Sequence, residues 1–417
     1  MTDAWAAGPT IFRPSDMGES TWARGFGRSV AELDPRRDGP LEITTRFRDR
    51  PDAGAIVVTG GAGFLGARVV RELLSKRGRQ SVYVASRRPG ALTDALRALV
   101  GTAETLRLML DERLVMIPID LTADDAVETL VGRTSGSRVR TVIHLAAAVD
   151  AFASRERLAA ANETAIRNAI GFAAATGARL VHASTLSVFV SSNMDGEADE
   201  TSLRDRPERM ILGGYAQSKA VADMLVEDAV GEGVDACIVR LGLLVPEDRS
   251  GMEPKSFLSA FRDALIDVGT VPVTSEEALV DLTPVDQAAS ALVAMADAET
   301  VPVFVHYANP ESATLSLLTE LILGRAPKVV DDAEWDRRRQ DLPSIERTLL
   351  EAAFRKKRFL VGRCALLPIA NADLFQSTAR RFVPTMATML GAPVPRSALD
   401  AARALFERRD ETMDVRA

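Results

Sequence analysis

The feature that most constrains the fold is a rhythm beginning at Ala55. Short runs rich in β-branched residues, "AIVVTG", "SVYVAS", "LVMIPID", "TVIHLAA", "RLVHAST" and "ACIVRLG", alternate with helix-length stretches. Those stretches are "FLGARVVRELLSK" and residues 91–110, 123–131, 156–176 and 215–231. Strands joined by connections of this length pair in parallel, because a parallel crossover needs a dozen or more residues. Each run is nearly all apolar rather than alternating, as strands are when helices cover both faces of a sheet. The expected fold is α/β, with a doubly wound parallel sheet.

The rhythm has edges. Residues 1–53 mix Gly, Pro, Arg and Asp without an apolar period and read as an N-terminal arm or leader, with a boundary near "RDRPDAG". Residues 54–240 form the expected nucleotide-binding domain. Residues 241–417 read as a smaller, mostly helical substrate-binding lobe. Strand-like "ALVDLTPVD" and "VFVHYA" and a helix over 284–297 suggest that some of its segments return to the sheet. No internal repeat or low-complexity tract is present.

Composition excludes several classes. A net charge of −7 offers no basic face, so no nucleic-acid partner is expected. His144, His182 and His306 are scattered, and Cys237 and Cys364 lie far apart, so neither a metal site nor a disulfide framework is expected. No apolar run is long enough for a membrane span, and "MTDAWAAGPTIFRPSDMG" lacks the charged and apolar regions of a secretory signal. These features together predict a soluble, cytoplasmic protein.

"VVTGGAGFLGARVVREL" sets Gly60, Gly63 and Gly66 between the first strand and the first helix. Glycine lets the backbone turn tightly and approach a pyrophosphate, while the helix N-terminus offers free N–H groups and positive partial charge. An ordinary tight turn is the alternative, weakened by the position at the first strand-to-helix junction of a βαβ array. After the second strand, "VASRRPG" puts Arg87 and Arg88 where an NAD-selective protein usually carries an acid. Two guanidinium groups suit a 2′-phosphate, so NADPH is the expected cofactor; a solvated basic turn is the alternative. Asp120 in "IPIDLT" ends the third strand, where it either meets the adenine edge or caps a nearby helix.

"GGYAQSKAVADMLVEDA" carries one of only three tyrosines in the chain. Tyr215 and Lys219 are i and i+4 on a helix, hence neighbours on one face. A nearby ammonium favours a phenolate, so Lys219 is expected to lower the Tyr215 pKa from its ordinary value near ~10. A plain surface Tyr–Lys pair is the alternative. "RLVHASTLSVF" adds Ser184 and Thr185 at the end of a parallel strand, where ligands of open sheets bind. A hydroxyl there can donate to a carbonyl oxygen as negative charge develops.

With these motifs in hand, residues 55–339 resemble the extended short-chain dehydrogenase/reductases, a group built on the Rossmann fold. The motifs are "TGGAGFLG", "DL" at 120–121, "HLAA" at 144–147, "AST" at 183–185 and "YAQSK" at 215–219. Within that group "HASTLSVF", "GGYAQSKAVAD", "DLTPVDQAASALVAMA" and "VHYANPESATLSLLTELI" look most like the thioester reductase branch. That branch includes carboxylic acid reductases, aminoadipate reductases and the terminal reductases of peptide and polyketide synthases. The resemblance implies a catalytic triad on Thr185, Tyr215 and Lys219, with Ser184 as the adjacent alternative hydroxyl. It also implies cofactor contacts from Gly60, Gly63, Phe64, Leu65, Gly66, Arg87, Arg88, Asp120, Leu121, Ala146 and Lys219. The family's helix asparagine falls on Asn162. Two departures, Leu241 where the family has proline and Ala220 where it often has tryptophan, bear on the nicotinamide wall and the substrate entrance.

The implied reaction is NADPH-dependent reduction of an acyl thioester, carrier-protein- or CoA-bound, to an aldehyde or alcohol. With no adenylation or carrier segment in the sequence, the thioester is expected in trans. The alternative is an extended reductase, dehydrogenase or epimerase acting on a small ketone, aldehyde or sugar nucleotide, and a cofactor sensor or scaffold is a third class. The basic run Arg355, Lys356, Lys357 and Arg358 is either a carrier-docking patch or a solvated helix face.

Overall fold

The computed structural model describes residues 27–39, 41, 54–76, 78, 80–149, 153–189, 198–247, 257–275, 279–354, 395 and 397–406. Seven strands form one sheet: β1 (Ala55–Thr59), β2 (Val82–Ser86), β3 (Leu114–Pro118), β4 (Val139–His144), β5 (Arg179–Thr185), β6 (Ala236–Leu241) and β7 (Phe304–Tyr307). Their spatial order is β7-β6-β5-β4-β1-β2-β3, and every neighbouring pair is parallel. The chain winds outward from β1 in one direction and then, from β4, in the other. That reversal opens a crevice beyond the C-terminal ends of β1 and β4, where ligands of such sheets bind.

Around the sheet lie α1 (Phe64–Ser75), α2 (Gly90–Met109), α3 (Ala126–Thr134), α4 (Ala165–Thr176), α5 (Gly214–Gly231) and α6 (Val285–Asp297). Helices α2, α1 and α6 are packed neighbours, as are α3, α4 and α5, giving one helical layer on each face. In α1 the buried residues Val69, Val70, Leu73 and Leu74 recur at helical spacing, which is the stripe that faces the sheet. By contrast α5 is buried almost all round, including Lys219 and Asp223. A helix that buries charge in this way is built for more than packing.

Some elements depart from the expected bounds. The helix expected over 91–110 is kinked at Gly101, whose φ of +75° no helix interior adopts. The stretch 156–176 divides into a helix Arg155–Ala159, a π-helical turn Ala160–Thr164, and α4. The helix expected from 123 begins at Ala126 instead, because Asp120 and Thr122 close a separate turn first. β7 and α6, from the C-terminal part of the chain, do join the main sheet and its core.

A second core lies in the remainder of the C-terminal part. Helices Phe257–Val268, Leu315–Leu323, Asp332–Arg339, Ser344–Phe354 and Ala398–Phe406 combine there with short strand pairs. Fully buried Trp335 anchors it, donating from Nε1 to the Thr270 carbonyl at 3.2 Å and packing edge-on against Phe354. The basic run Arg355–Arg358 lies outside the described residues.

Of the N-terminal segment, residues 27–39 are described and dock on the main body. Gly27–Ser29 pairs antiparallel with Met210–Leu212, the strand leading into α5. A capping box between Ser29 and Glu32 starts the turn Val30–Leu33. Beyond it, Arg204 draws together three carboxylates, Asp34 at 2.8 Å and Glu227 and Asp228 at 2.9 Å each. Among the described residues no helix is long and apolar enough to cross a membrane.

Candidate active site

The crevice begins with the glycine turn. Gly60 adopts φ +69°, and a Cβ there would lie 2.6 Å from the Ala146 nitrogen. A Cβ on Gly66 would run into the Gly60 carbonyl and lie 2.7 Å from the Gly61 Cα. Only glycine fits at either position, so α1 starts flush against the turn. Its N-cap, Gly63, has no side chain to occupy the first N–H groups, which leaves a helix N-terminus suited to a phosphate. Phe64 and Leu65 stand half-buried in the first turn, with the Arg68 guanidinium 4.5 Å over the Phe64 ring.

Thr59 ties this turn to β4 and was not singled out in the sequence. Its hydroxyl oxygen accepts from the Leu145 and Ala146 nitrogens at 3.2 and 3.3 Å, so its proton points to His144 Nδ1 at 3.0 Å. The strand-end segment containing Ala146 is thus held beside the glycine turn. Arg87 and Arg88 are exposed after β2 on the other side. Asp120 is exposed too, and accepts from the Thr122 backbone at 2.9 Å and the Thr122 hydroxyl at 2.8 Å. Those bonds, with the Arg87 charge adding to them, hold its carboxyl below the usual range. Asp120 therefore caps its own turn, not the helix that follows. Leu121 is buried beneath, its carbonyl accepting from Asn168 Nδ2 at 2.8 Å.

Beyond the glycine turn, α5 is tied through Lys219 to the end of β5. Lys219, 3% exposed, donates from Nζ to the Ala183 carbonyl at 2.7 Å and lies 3.4 Å from His182 Nε2. That bond fixes α5 to the strand end carrying Ser184 and Thr185. Thr185 is half-buried; its Oγ1 accepts from the Ser187 nitrogen and donates to Ser187 Oγ, both at 3.1 Å. Ser184 is buried, and its Oγ has no hydrogen-bond partner among the described residues. Of the two hydroxyl-bearing residues, Thr185 is the more exposed.

Asn162 braces the same region from the π-helical turn, a feature common at functional sites. Its Oδ1 accepts from the Ala148 nitrogen at 2.7 Å, and its Nδ2 donates to Ser218 Oγ at 2.9 Å. Ser218 in turn donates to the Tyr215 carbonyl at 2.8 Å.

The charge states differ from the expectation. Burial pushes the Tyr215 phenol up to about 12, with the Asp223 carboxylate adding to the effect. Lys219 does not lower it; its amine is turned to the Ala183 carbonyl, and burial brings Lys219 itself down to about 8 against the pull of Asp223. Within the free chain, desolvation and the Asp223 charge together set the state of the Tyr215 phenol. Among the described residues no three His, Cys, Asp or Glu side chains gather as metal ligands.

Comparison with known proteins matches residues 58–292 to the NAD-binding family described as male sterility protein. The chain belongs to that family. It falls in the thioester-reductase branch of the extended short-chain dehydrogenase/reductases, and it is an oxidoreductase of that kind with a nicotinamide cofactor. A relative, the isonitrile lipopeptide synthase of Streptomyces coeruleorubidus, is 29% identical over 309 residues, which is 67% of this chain. The chain spans 20% of that synthase's length. Among solved structures, the terminal R domain from the myxalamid PKS-NRPS biosynthetic pathway has a TM-score of 0.65 at 18% identity, covering 93% of this chain and 96% of its own. A thiolation-reductase di-domain from an archaeal non-ribosomal peptide synthetase has a TM-score of 0.67 at 20% identity, covering 90% and 79%. At these identities the two structures establish the shared fold.

Proposed function

We propose that this family member is an NADPH-dependent reductase of acyl thioesters, borne on a carrier protein or coenzyme A and received in trans. The observation that carries the reading is the Lys219–Ala183 bond, which fastens the helix bearing Tyr215 to the strand end bearing Thr185. The cofactor's fit rests on the Gly60 and Gly66 cradle, which any Cβ would fill, and on exposed Arg87 and Arg88 beside it.

When bound and reduced, NADPH supplies the hydride. The chain's part is to hold the carbonyl and manage its proton. The first N–H groups of α1 receive the pyrophosphate, and Arg87, with Arg88, receives the 2′-phosphate. Thr185 gives up its bond to Ser187 Oγ and donates to the substrate oxygen, offsetting the developing negative charge. Tyr215 delivers its proton to the same oxygen; a phenol that stays protonated at neutral pH is loaded for that task. Lys219, held at the Ala183 carbonyl, would anchor the nicotinamide ribose. Loss of the thiol then gives an aldehyde, and a second round gives an alcohol.

The test is incubation with NADPH or NADH and a panel of pantetheine thioesters, aldehydes and ketones, followed at the nicotinamide absorbance band. Oxidation of NADPH by thioesters, with release of thiol, supports the reading. Turnover of ketones or sugar nucleotides alone, or a preference for NADH, overturns it.

A further inference from the structure

Strand register sets a row of polar side chains across the sheet beneath α5. Thr59, His144 and His182 are partners across β1, β4 and β5; Ser184, Arg240 and His306 are partners across β5, β6 and β7. All of them are buried, and they include every histidine of the chain. Onto this row α5 lowers Lys219 and Asp223, which with Tyr215 form an i, i+4, i+8 line on one helix face.

We propose that Asp223, held by Arg240 and facing the His182 ring that lies beside Lys219, is a positioning residue that keeps the Lys219 amine charged and directed at the end of β5. The inference rests on the proposed role of Lys219. Its core is an asymmetry at Asp223. Arg240, fully buried, donates from Nε to Asp223 Oδ2 at 2.9 Å and from Nη1 to the Thr201 carbonyl at 3.0 Å. It sits between the Phe189 and Phe304 rings, 4.9 Å from each. A purely structural buried pair gains most when Arg grips both oxygens of the carboxylate. Here Asp223 Oδ1 has no hydrogen-bond partner among the described residues, and it faces His182 Nε2 at 3.7 Å. The same ring nitrogen lies 3.4 Å from Lys219 Nζ. One carboxylate oxygen serves Arg240, and the other is turned along the imidazole toward the amine.

Among the described residues the groups facing this line are few. From α5 come Tyr215, Lys219 and Asp223, and from the strands come His144, His182, Arg240 and His306. Burial drives all three imidazoles below their ordinary range, helped by Lys219 at His144, by Lys219 and His144 at His182, and by Arg240 at His306. Glu200 lies farther along, accepting from the His306 nitrogen at 2.9 Å. Asp223 is therefore the anion whose field acts on Lys219 against the loss of water.

The experiment uses the full chain labelled with lysine carrying ¹³C at Cε, read by NMR against pH without cofactor or substrate. The Lys219 signal is assigned by its loss in Lys219→Met. In the wild type the amine is expected to titrate at about 8. Asp223→Asn lowers that midpoint by about one unit or more, since it removes the charge that favours the ammonium. Asp223→Asn/Arg240→Gln does the same while leaving no buried guanidinium unpaired. His182→Leu, which deletes the ring nitrogen beside the amine, lowers it too, and His182→Gln, which keeps an acceptor, restores it. Two results overturn the proposal: a midpoint unmoved in every folded Asp223 variant, or Leu and Gln at 182 that both titrate like the wild type. Because the readout needs no turnover, it stands apart from the reductase reading. A chain that reduces no thioester would sink that reading and leave this measurement intact.

Discussion

Lys219→Met should stabilise the fold while abolishing the chemistry. In the native state burial brings the Lys219 amine from 10.5 down to about 8, so at neutral pH the ammonium is held at a penalty. At about 1.4 kcal/mol per unit, that penalty is roughly 3 kcal/mol. Methionine has similar length and no charge; it forfeits the bond to the Ala183 carbonyl, about 1 to 1.5 kcal/mol net. The expected gain near pH 7 is therefore on the order of 1 to 2 kcal/mol. The pH dependence provides the signature. Between about 8 and 10.5 the unfolded lysine still binds its proton and the native one does not, so wild-type stability rises with pH through that window. Below 8 the penalty is fully present, and above 10.5 it has vanished. The variant lacks this contribution, so its advantage shrinks as pH is raised. Urea unfolding of both proteins at several pH values measures the difference, with other titrating groups cancelling between them. A variant less stable than wild type by the same amount at every pH would refute the reasoning.

Other expectations follow from the same geometry. Arg87→Ala should weaken NADPH binding by about 1.5 to 3 kcal/mol in a fluorescence titration and leave NADH nearly untouched; equal losses would remove the 2′-phosphate contact. Tyr215→Phe should collapse kcat while cofactor affinity is retained, and a variant that keeps most of its rate would exclude Tyr215 as the proton donor. Thr185→Ala should cost ~10²-fold or more in kcat, whereas buried Ser184→Ala should change it little; the reverse order would reassign the hydroxyl. Gly66→Ala should abolish cofactor binding measured by calorimetry, because the added methyl meets the Gly60 carbonyl and displaces α1 from the turn.

The sheet was legible because its strands are continuous apolar runs, and Gly60 and Gly66 were legible because so tight a strand-to-helix turn tolerates nothing else. Tyr215, Lys219 and Thr185 could be singled out by spacing and by position at a strand end. Their charge states could not, because desolvation depends on how deeply α5 is buried, and no i, i+4 rule encodes that. Thr59, Asp223 and Arg240 escaped notice for a related reason. Each is an ordinary polar residue in sequence, and it becomes significant only through strand register, which sets Arg240 beside both Ser184 and His306. The three histidines read as scattered, and in sequence they are; parallel pairing brings His144 and His182 to a ring separation of 5.6 Å. Helix bounds slipped at Gly101 and at the π-helical turn, where local geometry interrupts an otherwise continuous apolar period.

The N-terminal strand Gly27–Ser29 pairs with the strand that runs directly into Gly213 and α5, and Arg204 fastens Asp34 to Asp228 on that helix. The arm and α5 should therefore open as one cooperative unit in native-state hydrogen exchange. Amides of Met210–Leu212 and the first turn of α5 should exchange together with those of the arm, and faster once Arg204 is replaced by alanine. Trimming the chain to the start of β1 would then do more than shorten it. It would leave Met210–Leu212 without its partner strand and turn the approach to Tyr215 into an exposed, fraying edge.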